Sequence, residues 1–147
     1  MTVSKIEHIG WDLWQASHAW KQRFTREMRA QGFGWYGEAR ANLIQHIGPG
    51  GIAQIELAAR AGITKQAVQQ QLDELVLDGI LERVSDASDA RKKHIHLTPA
   101  GIDALTKTNE IKARIERDYE KLIGPLLMRE VKKALNMITS SENPEQN

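Results

Sequence analysis

Lys65, Gln66, Gln69, Gln70 and Asp73 recur at the spacing that puts them on one face of a helix. All but Asp73 end in hydrogen-bond donors carried on long side chains. A glutamine can pair twice with an adenine edge in the major groove, and a lysine reaches phosphate or guanine. Thr64 just before them has the hydroxyl needed to cap such a helix. Contacts are expected to gather at that N-terminal end, where the helix dipole favours phosphate. A second group follows, Asp89, Arg91, Lys92 and Lys93, on a polar stretch reading SDASDARKK. Lys92 and Lys93 suit phosphate contacts, and Arg91 suits a narrow minor groove if Asp89 holds its guanidinium in one pose. The plain alternatives are a solvated helix face and a turn with a local ion pair, the latter worth about 1 kcal/mol or less at an exposed site.

These residues need elements to position them. Between Ala53 and Gly101 the sequence predicts a short helix, Ile55 to Ala61, a turn at Gly62, and a second helix beginning after Thr64. Leu57 and Ala58 supply the inner side of the first. Val68, Leu72 and Leu75 supply that of the second, with Ile63 plugging the core between them. Gly79 ends the second helix. Leu81–Val84 and His94–Leu97 read as a hairpin, with Ile95 and Leu97 inward by alternation. A helix-turn-helix followed by a hairpin is a winged helix. On either side lie amphipathic helices. One runs from Asp12, as its cap, to about Arg29, and Gly32 ends it. Another runs from Tyr36 to Ile47 and is stopped by the loop Gly48–Gly51. A long helix begins at Thr98-Pro99 and reaches Leu122–Ile123, where Gly124-Pro125 breaks it. A last helix aligns Leu127, Val131, Leu135 and Ile138. The predicted fold is mainly α with a small antiparallel β-hairpin wing, a winged helix-turn-helix plus terminal dimerisation helices. It forms a single domain over residues 1–147, with the winged lobe at 36–100 and the dimerisation helices at 11–31 and 99–139.

Composition sets limits. At 147 residues, with 41% hydrophobic and 27% charged residues, the chain suits one ordinary globular domain. It lacks cysteine, which excludes disulfides and thiol chemistry. No apolar run is long enough to span a membrane, and MTVSKIEHIGWDLW has no signal-peptide core, so a cytoplasmic protein is expected. Net charge does not announce nucleic acid. Over residues 53–101, six Lys/Arg (60, 65, 83, 91, 92, 93) oppose seven Asp/Glu (56, 73, 74, 78, 82, 86, 89), leaving −1. A case for DNA therefore rests on where the charges sit.

The span from Leu57 to Gly101 resembles the MarR family of winged-helix transcriptional regulators. LAARAGITKQAVQQQLDELVLDGILER is similar to its recognition unit, DASDAR to its wing tip, and LTPAG to the start of its long helix. The flanking helices fit the family layout too, so the likeness covers nearly the whole chain. The resemblance implies a homodimer, built by the terminal helices, that binds pseudo-palindromic double-stranded DNA. It makes Arg91 the minor-groove residue, braced by Asp89. Two positions depart from the pattern. Ser88 stands where the wing usually has an arginine, and Gln70 where the recognition helix often has one. Fewer cations imply weaker phosphate attraction, a shallower dependence on salt and a site richer in A·T.

Regulators of this kind often bind small aromatic or phenolic effectors. Trp14, His18, Trp35 and Tyr36 could line such a cavity, with His18 or Arg40 meeting an acidic group. The same aromatic residues serve equally as core and dimer-interface packing. His94 and His96 share one strand face but have no third ligand grouped with them, so they read as wing residues near phosphate rather than a metal site. No cofactor is expected. No phosphate loop, nucleophile elbow or spaced acid pair suggests an enzyme. Two functions remain beside a DNA-binding repressor: a winged-helix adaptor for protein contacts, and a small-molecule binding protein.

Overall fold

The computed structural model describes residues 6–34 and 37–143. Its elements run α1 (Ile9–Ala30), α2 (Glu38–Ile44), β1 (Ile52–Ala53), α3 (Gln54–Ala61), α4 (Lys65–Leu77), β2 (Leu81–Ser85), β3 (Lys93–Leu97), α5 (Pro99–Ile123) and α6 (Pro125–Glu142). It is the mainly helical winged fold that the sequence predicts. Two compact units divide it, Met1–Asn109 and Glu110–Asn147, and the division falls within α5 rather than at its start.

In the first unit, α1 begins at Ile9 and not at Asp12. His8 occupies the cap position without a side-chain bond, and Asp12 lies in the first turn. That end is exposed, so water can satisfy its free N–H groups, while Asp12 still complements the helix dipole. α2 is shorter than predicted. Beyond Ile44 the chain tightens, with His46 N–H donating to Leu43 O at 3.1 Å and Ile47 N–H to Ile44 O at 3.0 Å. Leu43, Ile44 and Ile47 are nevertheless all buried.

α3 and α4 form the expected pair around Gly62. Leu57, Val68, Leu72 and Leu75 are at most 1% exposed, whereas Ile63 is only half-buried. Truncating a leucine in such a site to alanine generally costs about 2–5 kcal/mol. α4 ends in a left-handed turn at Gly79, φ 73°, where Ile80 N–H reaches back to Leu75 O and Gly79 N–H to Val76 O. This double closure satisfies carbonyls that the helix end would leave open, and glycine adopts the turn without a Cβ penalty. It delivers the chain directly into β2.

The sheet has three strands in the order β1-β3-β2, all antiparallel. β2 pairs with β3 from Leu81↔Leu97 to Ser85↔Lys93, one pair longer than the sequence predicts. β1 is the element the sequence reading missed. Two residues carry no alternation signal, and Ile52–Ala53 counts as a strand only because it pairs with Ile95 and His94. Ile95, flanked on both sides, is fully buried.

Thr98 caps α5 as predicted, its Oγ1 accepting from Gly101 N–H at 3.0 Å. The same hydroxyl donates to Gly79 O at 2.6 Å and reaches Ile80 O at 3.1 Å, which pins the start of α5 to the start of β2.

The second unit holds the remainder of α5 and all of α6. Ile111 and Ile115 are buried, but α6 buries none of its residues. Its predicted stripe, Leu127, Val131, Leu135 and Ile138, is exposed throughout. Lys132 pairs with Glu116 across the two helices. Among the described residues no helix is long and apolar enough to cross a membrane.

Candidate nucleic-acid interface

Thr64, Lys65, Gln66, Gln69 and Gln70 are all exposed at the N-terminal half of α4, opposite the buried Val68–Leu72–Leu75 stripe. Thr64 Oγ1 accepts from Ala67 N–H at 3.1 Å, so its hydroxyl both caps the helix and retains a hydrogen to donate. Lys65 and Gln69 face the wing. They line a cleft of about 870 Å³ together with Arg83, Asp86, Arg91, Lys92, Lys93 and His94. Gln66 and Gln70 do not line it. The cleft gathers four Lys/Arg side chains from the wing segment with one from α4, against a single carboxylate, Asp86. The −1 balance of residues 53–101 is thus spatially sorted, and cations dominate on this side.

The wing tip is ordered by backbone bonds. Asp86 N–H donates to Lys92 O, and Lys92 N–H to Asp89 O, both at 3.0 Å. Asp89 Oδ1 accepts from the backbone N–H of Arg91 at 3.0 Å. This corrects the expectation that Asp89 holds the Arg91 guanidinium. Two residues apart in a turn, the carboxylate finds the main-chain donor before the end of a long side chain. Asp89 therefore shapes the turn that presents Arg91 and leaves the guanidinium exposed.

Two further wing expectations change. Lys93 belongs to β3 rather than the tip, and its ammonium donates to Ser85 Oγ at 2.7 Å across the register pair. Only Lys92 keeps the tip position assigned to both. His94 is part-buried, with Nε2 2.9 Å from Asp86 Oδ2, and is not a free phosphate contact. Asp86 also accepts from the Ser88 hydroxyl and backbone N–H. Those two Ser88 bonds, then His94, hold its carboxyl well below the usual carboxylate range, so it stays ionised at any ordinary pH. Ser88 closes the wing inward onto Asp86, where an arginine would extend a charge outward.

Sequence reasoning passed over Gln54, Arg83 and Asp86, all of which line the cleft. A signal existed for Arg83. It shares a strand face with buried Leu81, and a cation at an inward position generally has a partner. That partner is Asp73, 2.7 Å from Arg83 Nη1. Nothing local marks Gln54, which matters only through its tertiary neighbour Gln69.

Among the described residues, Trp14, His18 and Arg40 of the suggested effector set each have neighbours of their own. Trp14 is stacked between Trp11 (4.9 Å, 8°) and His18 (5.1 Å, 4°) along α1, and these side chains are exposed. Arg40 donates to Glu74 at 2.6 Å and Asp78 at 3.4 Å, tying α2 to the C-terminal half of α4. An arginine already shared by two carboxylates is poorly placed to receive an acidic ligand. Trp35 and Tyr36 lie outside the described residues.

Residues 39–92 match the sequence model of the MarR family. The chain is also similar to solved structures along nearly its full length. S. aureus MepR in complex with DNA is 22% identical, with a TM-score of 0.74 over 92% of this chain and 99% of that one. The transcriptional regulator PA3341 is 26% identical, with a TM-score of 0.71 over 94% and 100%. NadR in complex with 4-hydroxyphenylacetate is 22% identical, with a TM-score of 0.65 over 94% and 96%. Over residues 39–92 the chain is similar to the MarR family, and as a whole it shares its fold with these three structures.

Proposed function

We propose that this protein is a sequence-specific double-stranded DNA-binding transcriptional regulator, acting as a homodimeric repressor on a pseudo-palindromic site. The observation that carries the proposal is one cleft lined by Lys65 and Gln69 of α4 and by Arg91 and Lys92 of the wing. A helix in the major groove and a wing cation in the adjacent minor groove need that adjacency. The MarR-family match and the MepR–DNA complex support it. Selection of bound fragments from random duplex DNA is expected to return two related half-sites about 10 base pairs apart, with affinity falling steeply as salt rises. A pool that shows no enrichment would sink the proposal.

The homodimer rests on the uncovered stripe of α6. Leu127, Val131, Leu135 and Ile138 are each at least 39% exposed and lie along one face. Covering a side chain of this kind is worth about 1.5–3 kcal/mol at full burial, so the stripe favours association strongly. Leu127→Glu combined with Leu135→Glu is expected to convert a dimer to a monomer in sedimentation equilibrium. A parent protein that sediments as a monomer would refute this part alone.

Release by a small aromatic or phenolic effector belongs to the same proposal. It is supported by the NadR complex with 4-hydroxyphenylacetate and by the exposed Trp11–Trp14–His18 stack, which offers planar apolar surface. Tryptophan fluorescence titrated with hydroxyphenyl acids tests it. A flat response across the set would remove the effector while leaving DNA binding intact.

A further inference from the structure

Four side chains from three elements form a continuous hydrogen-bonded relay, three of them, Gln54, Gln69 and Arg83, lining the cleft and Asp73 lying outside its lining. Gln54 Nε2, at the start of α3, donates to Gln69 Oε1 at 2.6 Å. Gln69 Nε2 donates to Asp73 Oδ1 at 3.0 Å, one turn along α4. Asp73 Oδ1 also accepts from Arg83 Nη1 of β2 at 2.7 Å. The chemistry of the end groups gives the relay a direction. An ionised carboxylate only accepts, so the edge of Gln69 that meets Asp73 must be its NH₂. The carbonyl edge is then left for Gln54, which must meet it with its own NH₂. Neither amide can be turned over without losing a bond at each contact.

A free glutamine reads bases ambiguously. With its amide in one orientation it presents donor and acceptor in the order that matches adenine, and turning it over reverses that order. An exposed glutamine exchanges the two at little cost. Gln69 cannot, because Asp73 fixes one edge and Gln54 the other. Each amide atom of Gln69 still has capacity left, one hydrogen on Nε2 and one lone pair on Oε1. These are the groups a base edge would use.

We infer that Gln54 and Asp73 are positioning residues for base readout, locking the Gln69 amide in a single orientation so that one half-site position is read as adenine. Arg83 anchors the relay from the wing strand. Its Nε and Nη2 are buried with no hydrogen-bond partner, so Asp73 is what holds this guanidinium in place. Asp73 otherwise has no evident reason to stand on a face meant for phosphate. Here its charge is matched by Arg83 and serves orientation.

This inference rests on the DNA-reading proposal, and its test separates the two. Base preference at each half-site position is measured by selection for the parent, Gln69→Ala, Asp73→Asn and Gln54→Leu. The asparagine amide of the Asp73→Asn variant could donate as well as accept, so the Gln69 amide is freed to turn. The leucine of the Gln54→Leu variant keeps the bulk and removes the donor. In the parent, one position is expected to favour adenine about tenfold, within the range of a good bidentate pair. Gln69→Ala flattens that position. Asp73→Asn and Gln54→Leu each reduce it to about threefold or less, with the other positions and the salt dependence retained. A purely structural role would lower affinity evenly and leave the preference intact. If the parent and both relay variants show equal preference while Gln69→Ala loses it, DNA reading stands and the relay is wrong. If Gln69→Ala changes no position, the relay has nothing to aim and also falls. If the parent selects no sequence, both proposals fail. Gln54→Leu lies at the surface end of the relay, so the inference stays testable even if Asp73→Asn disturbs Arg83 and the wing.

Discussion

Replacing Gly101 with alanine is expected to destabilise the first unit by about 3 kcal/mol, toward the upper end of what overpacking costs. A Cβ at this position would stand 2.2 Å from Ile80 O and 3.2 Å from Leu97 Cδ2. The carbonyl cannot retreat cheaply, because it accepts from Thr98 N–H at 3.0 Å and from Thr98 Oγ1 at 3.1 Å. Nor can the helix, because Thr98 Oγ1 holds Gly101 N–H. Moving α5 away from β2 breaks the cap and the tie to the wing together. Intrinsic helix propensity points the other way, favouring alanine over glycine by about 1 kcal/mol inside a helix. The sign of the change therefore tests the close approach directly. A drop of about 10 °C in melting temperature is expected for a chain of this size. Gly48→Ala is the matched control, since a Cβ there meets nothing within 4 Å. An unchanged or raised melting temperature for Gly101→Ala would show that the first turn of α5 is not pressed against Ile80.

Arg91→Ala is expected to weaken binding to a selected duplex by about 1–3 kcal/mol, roughly five- to 150-fold at fixed salt. The guanidinium is exposed at the tip of a turn closed by main-chain bonds, so the side chain can be removed without disturbing the turn. The neighbouring carboxylate makes the experiment sharper. If Asp89 braced the guanidinium by charge, Asp89→Asn would be nearly as harmful as Arg91→Ala. In the structure Asp89 Oδ1 instead accepts from the Arg91 backbone N–H. Asparagine keeps that acceptor and drops a negative charge beside the DNA. Asp89→Asn is therefore expected to bind at least as tightly as the parent, and Asp89→Ala more weakly than Asp89→Asn. Equilibrium binding of the four proteins at one salt concentration decides it. A loss for Asp89→Asn matching that for Arg91→Ala would restore the charge-brace picture.

These two positions illustrate what could be read from the chain. The wing tip was visible in SDASDARKK because runs of like charge are local, and the cap at Thr98 because Thr-Pro before an apolar repeat is local too. The pairing of Asp89 with a main-chain donor was not visible. Its carboxylate has two plausible donors in Arg91, and only the turn geometry ranks them. Lys93 was misplaced for a related reason. Strand ends are fixed by cross-strand partners, and Ser85 is the partner that draws Lys93 out of the tip, while His94, read as a strand residue, turns its ring to Asp86.

Periodicity by itself determined the helices, the hairpin and the outward face of α4, because burying an apolar stripe demands a repeat in sequence. It also exposed the unpartnered stripe of α6, which a lone chain leaves open. Only the tertiary structure decided which polar residues act together. Arg40 went to Glu74 and Asp78 rather than to the tryptophans. Gln54, Gln69, Asp73 and Arg83, scattered over three elements, became one relay. The physical reason is range. Hydrophobic burial imposes a pattern along the chain, whereas a hydrogen bond requires two atoms about 3 Å apart and leaves no pattern where the residues are distant in sequence.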